Sequence, residues 1–248
     1  MNTQLKLFCL PYAGGSAQSI YNNWREHLDP MIDLIPVELA GRGVRIAENL
    51  YLHPEEAIND VVEIIRTEIS DSDCDYAIFG HSMGSILAYK VMERINELEL
   101  RAPVHAFFSG RRAPQCPSRR PKLYSKMNTL ELENEIKILG GTPPEFFEYP
   151  ELKNIFMPII KSDFKIADLL VAKSDLLAFD HDISVFIGMD EDVNIHEATA
   201  WKQVTNKTYT LEYFEGEHFF LLDPVQGKAV VDTINTCLVK KYEHAGVC

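Results

Sequence analysis

No run of this chain approaches the roughly 20 apolar residues that a helix needs to span a bilayer. The first ten residues also lack the basic start and small-residue cleavage site of a secretory leader. Cysteine is sparse and unpatterned. Cys9, Cys74, Cys116, Cys237 and Cys248 make an odd set with no CxxC pair, which argues against a disulfide frame or a zinc site. It fits reduced thiols in a cytoplasmic protein, and none lies in a motif that would activate it as a nucleophile. Positive charge is in deficit, with 24 Lys and Arg against 37 Asp and Glu, a net charge of −13. That balance disfavours nonspecific binding to nucleic acid or an anionic membrane. Neither GxGxxG nor GxxxxGK[ST] occurs, so a nucleotide site is not indicated, and no repeat or low-complexity tract is present.

What remains is an ordinary globular balance, 46% hydrophobic and 25% charged over 248 residues. This length suits one α/β domain, 1–248, with a sizeable core. Apolar segments alternate with helical patterns, which predicts a mostly parallel central sheet with helices on both faces. Strands are expected at Leu5–Leu10, Ile32–Val37, Tyr76–Phe79, Val104–Ser109, Ser184–Ile187 and Thr208–Phe214. Helices are expected near Ile20–Leu28, Glu56–Ile69, Ser85–Ile95 and Val225–Lys240. From about 119 to 174 the alternation breaks into helical pieces, including Leu130–Leu139. An insertion of that size after a core strand reads as a lid over a site, since a plain connection needs far fewer residues.

The chemistry concentrates at Gly80-His81-Ser82-Met83-Gly84, between an expected strand and an expected helix. In this context GxSxG is a nucleophile elbow: the serine sits on a strained bend, and larger residues beside it would collide with strand and helix. The α/β-hydrolase fold, to which such an elbow points, has the chain order serine, acid, histidine. A serine hydroxyl needs an adjacent base. Of eight histidines, His218 stands out, on a loop after the last expected strand and before the last helix. His81 fills the elbow and points elsewhere, while His196 and His244 read as surface residues. The acid is expected after the penultimate strand, in Gly188-Met189-Asp190-Glu191-Asp192-Val193. Asp190 is chosen for its Asp-x-x-Val spacing, with Glu191 and Asp192 as alternatives. Two backbone amides would form the oxyanion hole: that of Met83, after the nucleophile, and that of Tyr12 in the loop after the first strand, with Ala13 next.

These stretches together resemble the type II thioesterases that accompany nonribosomal peptide and polyketide synthases. The resemblance is carried by Leu10-Pro-Tyr-Ala-Gly-Gly-Ser16, the elbow, Ser109-Gly-Arg-Arg-Ala-Pro114, Leu139-Gly-Gly-Thr-Pro143 and Gly216-Glu-His-Phe-Phe-Leu-Leu222. It spans nearly the whole chain. Ala40-Gly41-Arg42-Gly43 also resembles the family, with Ala40 where proline is common, and the family's Gly-x-x-Asp spacing lands here on Glu191. The resemblance implies hydrolysis of acyl or aminoacyl thioesters on the phosphopantetheine arm of acyl or peptidyl carrier proteins, clearing stalled or misprimed synthases. No metal or redox cofactor is required. A discrete cytoplasmic enzyme, a monomer, is expected. The basic cluster Arg111, Arg112, Arg119, Arg120 and Lys122 is the expected contact for the carrier or its phosphate. A medium-chain fatty-acyl thioesterase and an acyltransferase on the same fold are the alternatives.

Overall fold

Strand β1, Leu5–Leu10, sends alternate side chains to opposite faces of the sheet, as a strand must. Leu5, Leu7 and Cys9 join one apolar layer, and Phe8 and Leu10 the other. In the computed structural model, which describes residues 5–70, 73–117, 123–170 and 176–245 with side chains as far as 242, the same alternation recurs along the sheet. The further strands are β2 (Ile32–Pro36), β3 (Asp75–His81), β4 (His105–Ser109), β5 (Asp182–Gly188) and β6 (Tyr209–Phe214). Tyr76 and Ile78 of β3 face one layer, and Ala77 and Phe79 the other. Strands buried on both faces read as continuous apolar runs, which is why they stood out in the sequence.

Every strand pairing among the described residues is parallel, in the order β2-β1-β3-β4-β5-β6. This is the mostly parallel central sheet that the alternation of segments predicts. Helices cover both faces. On one lie α1 (Ala17–Tyr21), the 3-10 turn Asn22–Glu26 and α8 (Pro224–Ala245), whose Trp24, Val230 and Ile234 are buried in one layer. On the other lie α2 (Pro54–Ile69) and α3 (Met83–Glu97), with Val61, Ile65, Ile86 and Val91. No helix among the described residues is long and apolar enough to cross a membrane.

The helix expected at Ile20–Leu28 starts earlier and is split. Ser16 caps α1 by accepting from the Ser19 amide at 3.4 Å, and the chain then tightens into the 3-10 turn. Between β4 and β5 come α4 (Thr129–Leu139), α5 (Pro144–Glu148) and α6 (Pro150–Leu169), as the insertion predicted. Its expected ends, at 119–122 and 171–174, lie outside the described residues. The short α7 (Ile195–Thr199) follows β5. These three inserted helices share a small apolar cluster of Leu132, Ile136, Phe146, Met157 and Ile160.

β1 lies between β2 and β3, so the connections leaving β1 and β3 diverge to opposite sides. Such a switch point opens a crevice at the carboxyl ends of the strands. The loop after β1 and the bend after β3 meet there.

Candidate active site

Ser82 follows β3 directly, with φ 56° and ψ −110°, a backbone region that non-glycine residues rarely occupy. Such a bend costs on the order of 1–3 kcal/mol and persists only where its surroundings enforce it. They do so through close contacts. A Cβ on Gly80 would lie 2.1 Å from the Gly84 carbonyl oxygen, and one on Gly84 would lie 2.5 Å from that of Leu10. The Ser82 amide donates to the Ser109 carbonyl at 2.8 Å. The buried Ser85 hydroxyl lies 2.7 Å from both the Gly80 and the Ser109 carbonyl and accepts from the Ser109 amide at 3.0 Å. One serine in the first turn of α3 thus ties together the ends of β3 and β4.

His218 stands on the loop after β6, and its Nε2 is 2.9 Å from Ser82 Oγ. Its Nδ1 is 2.5 Å from Glu191 Oε1. The expected acid, Asp190, does not occupy this position: its side chain is exposed, as is that of Asp192, whereas the Glu191 side chain is 6% exposed. The turn explains the exchange. The Glu191 amide donates to the Gly188 carbonyl at 3.1 Å, folding position 191 back over the strand end, and Glu191 Oε2 accepts from the Gly188 amide at 3.3 Å. Asp190 contributes its backbone instead, donating to the Gly216 carbonyl at 3.0 Å, beside the Met189 amide on the Phe214 carbonyl at 2.8 Å. The acid loop and the histidine loop are therefore stitched together. A Cβ on Gly188 would lie 2.6 Å from the Glu217 carbonyl oxygen.

His81 does point away from Ser82. It is fully buried, with Nδ1 2.8 Å from Ser109 Oγ, and its ring centroid is 5.1 Å from that of His218. Burial pushes its pKa well below the ordinary histidine value. His196 is exposed, and the His244 side chain lies outside the described residues.

Met83 is the first residue of α3, so its amide has no acceptor within the helix. Tyr12 sits in the loop after β1, where the Gly15 amide donates to the Tyr12 carbonyl at 3.0 Å. The Tyr12 ring packs edge-on against Phe219, centroids 4.9 Å apart, and Phe219 packs against His218 at 4.8 Å. On its far side Phe219 meets the inserted helices: a Cβ on Gly141 would lie 2.6 Å from its ring. Beyond it is an open cleft of about 610 Å³ between Leu139–Gly141 and the Glu215–Phe220 loop. Phe219 lines this cleft and also packs against His218.

Of the basic cluster, Arg111 and Arg112 follow β4 after Gly110, while Arg119, Arg120 and Lys122 lie outside the described residues. Burial, helped by the charge of Arg112, pushes the Arg111 guanidinium down to about 10. The described residues include no cluster of three side chains able to hold a metal ion. Ser85 and Ser109 were not singled out from the sequence. Both lie within or beside quoted motifs, but their role depends on contacts between strands.

A parallel sheet carrying a serine on a strained strand–helix bend, in line with an imidazole and a carboxylate, is the arrangement of a serine hydrolase of the α/β-hydrolase fold. Comparison with known proteins narrows the class. The chain belongs to the thioesterase domain family, which matches residues 5–238. It is 32% identical over 222 residues to the gramicidin S biosynthesis protein GrsT of Aneurinibacillus migulanus, covering 89% of this chain and 84% of that protein. To the medium-chain S-acyl fatty acid synthase thioesterase of Anas platyrhynchos it is 29% identical over 242 residues, covering 96% and 93%. Among solved structures, ClbQ from the colibactin NRPS/PKS pathway is similar with a TM-score of 0.88 and 33% identity, covering 99% of this chain and 100% of that one.

Proposed function

We propose that this protein is a type II thioesterase that removes acyl or aminoacyl groups from the phosphopantetheine arm of carrier proteins, clearing stalled or misprimed peptide or polyketide synthases. The observation that carries the reading is the line from Ser82 Oγ to His218 Nε2 at 2.9 Å and from His218 Nδ1 to Glu191 at 2.5 Å. Glu191 fixes the imidazole with Nδ1 protonated and Nε2 free to accept. His218 takes the Ser82 proton as Oγ attacks the thioester carbonyl, and the amides of Met83 and Tyr12 receive the developing oxyanion. The imidazolium then protonates the departing thiol. In the second half, water gives its proton to Nε2 as it attacks the acyl-serine; the imidazolium then returns a proton to Ser82 Oγ as the acyl–oxygen bond breaks, releasing the acid. Every step uses groups of this chain and water.

GrsT and ClbQ, named for gramicidin S biosynthesis and a colibactin NRPS/PKS pathway, support the carrier-bound substrate. The duck relative, named as a medium-chain fatty acid synthase thioesterase, supports a second reading in which medium fatty chains are the substrate. Under either reading we propose a cytoplasmic enzyme. Rates on a series of carrier-bound acetyl, aminoacyl and medium-chain acyl groups separate the two. Preference for short and aminoacyl groups is the expected outcome, and strong preference for medium chains transfers the case to the second reading. Ser82→Ala is expected to abolish both hydrolysis and labelling by a fluorophosphonate probe. Retention of either would remove Ser82 from its role.

A further inference from the structure

The loop between β1 and α1 is gripped by two buried carboxylates that the chemistry above does not use. Glu38, 5% exposed, accepts from the Ser16 hydroxyl at 2.8 Å and from the amides of Ala17 and Gln18, each at 3.3 Å. Asp163, 1% exposed in α6, accepts from the Gly14 amide at 2.7 Å. It also accepts from both terminal nitrogens of the buried Arg42, at 2.5 and 2.7 Å. Arg42 in turn donates to the Gly15 carbonyl at 3.3 Å, while its Nε is buried with no partner. Gly14 has φ +80°, and a Cβ there would lie 2.7 Å from Ile160 Cγ1, so α6 rests on the loop backbone itself.

A buried ion pair of this kind adds little net stability relative to an apolar pair of equal volume. Its effect is geometric. Two charged groups, one from the inserted helices and one from the loop after β2, converge on Gly14 and Gly15, two and three residues beyond Tyr12. Once α6 lifts away, the Gly14 amide loses its acceptor and Arg42 is left as an unpaired buried charge. We infer that Arg42 and Asp163 are positioning residues that couple the seating of α6 to the placement of the Tyr12 amide, so that the oxyanion donors are complete only when α6 is docked. This rests on the reading of Ser82, His218 and the Tyr12 amide given above.

The test replaces the pair by apolar residues, Asp163→Leu with Arg42→Met, which keeps the volume filled and the melting temperature within about 5 °C of wild type. On a soluble acyl-N-acetylcysteamine thioester, kcat is expected to fall roughly 10- to 100-fold, the range for partial loss of an oxyanion donor. KM should stay within about threefold, because ground-state contacts are intact. The inhibition constant of an alkylboronic acid, which becomes tetrahedral and anionic on Ser82, should rise in proportion to the loss of kcat/KM. A folded double variant with wild-type kcat, or a loss confined to KM, overturns the inference. Should the double variant not fold, Arg42→Lys decides: it keeps the charge but not the two-pronged contact. A lowered kcat at unchanged KM supports the coupling, and wild-type kcat ends it. Ser82→Ala runs alongside. If that variant remains active, the underlying reading fails; if it is dead while the paired variant is fully active, only the coupling fails.

Discussion

Around Ser82 and His218 the geometry is set by backbone. The Ser82 amide is held by Ser109, the amides of Met189 and Asp190 by the Phe214 and Gly216 carbonyls, and glycines at 80, 84 and 188 let chains approach more closely than any side chain would allow. The inserted helices are held differently. They share a small apolar cluster of their own, leave Leu130, Ile138 and Ile155 exposed, and meet the rest of the molecule largely through side chains. Asp163 grips Arg42 and Gly14, and the Ser162 hydroxyl donates to the Tyr51 carbonyl at 2.9 Å. Backbone contacts between parallel strands leave few ways to rearrange. Side-chain contacts across a helix surface can be broken and remade, which suits an element that moves.

The sharpest way to break this contrast is to exchange the acids. Glu191→Gln is expected to lower kcat by about 10³- to 10⁴-fold through loss of the imidazole's orientation, whereas Asp190→Asn should stay within about twofold. A reversed pattern, measured as kcat on any acyl thioester, would mean that the loop is not fixed by its backbone.

A second prediction concerns the opposite end of the sheet. Burial pushes His105, at the start of β4, down to about 3, and His181, just before β5, to about 4. Both folded values lie below the ordinary 6.5, so the unfolded chain binds protons that the folded chain excludes. The stability involved is complete above about pH 6.5 and is lost as pH falls towards these values. Melting temperature should drop by roughly 5–10 °C between pH 7 and 4.5. His105→Asn should flatten that slope, and an unchanged slope would exclude His105 as a source.

Phe219 marks the border between the two regions. Its replacement by alanine should join the 610 Å³ cleft to the site and raise kcat/KM for long acyl chains over acetyl by up to about tenfold. An unaltered chain-length profile would show that Phe219 does not govern access. The smallest effect is expected within the insertion. Asn128 caps α4, accepting from the Glu131 amide at 3.0 Å in a reciprocal box. Asn128→Ala should cost about 1 kcal/mol of local stability with kcat unchanged, and a large fall in kcat would mean that the insertion's internal order reaches the site.

The same contrast governs how much could be read from the sequence. Strands buried on both faces announce themselves as apolar runs, and the elbow carries its glycines beside its serine, so β1, β3 and Ser82 were legible. His218 followed from chain order. The choice between Asp190 and Glu191 depended on a turn whose closing bond, Glu191 amide to Gly188 carbonyl, local spacing only hints at; the Gly-x-x-acid interval did fall on Glu191. Asp163 and Arg42 are 121 residues apart. A single acid among Ile159, Ile160 and Ile166 on a helix announces no partner, and only the packing of α6 on the loop reveals one.

The stitching of the acid loop to the histidine loop divides the proposed triad into two pieces. Glu191 and His218 ride together on the ends of β5 and β6, while Ser82 rides on β3 and is pinned to β4. In the sheet these pieces meet at the β4–β5 pairing, from His105↔Asp182 to Ser109↔Phe186. Heat or denaturant that loosens that pairing short of unfolding would part Ser82 from His218 while His218 and Glu191 remain a couple.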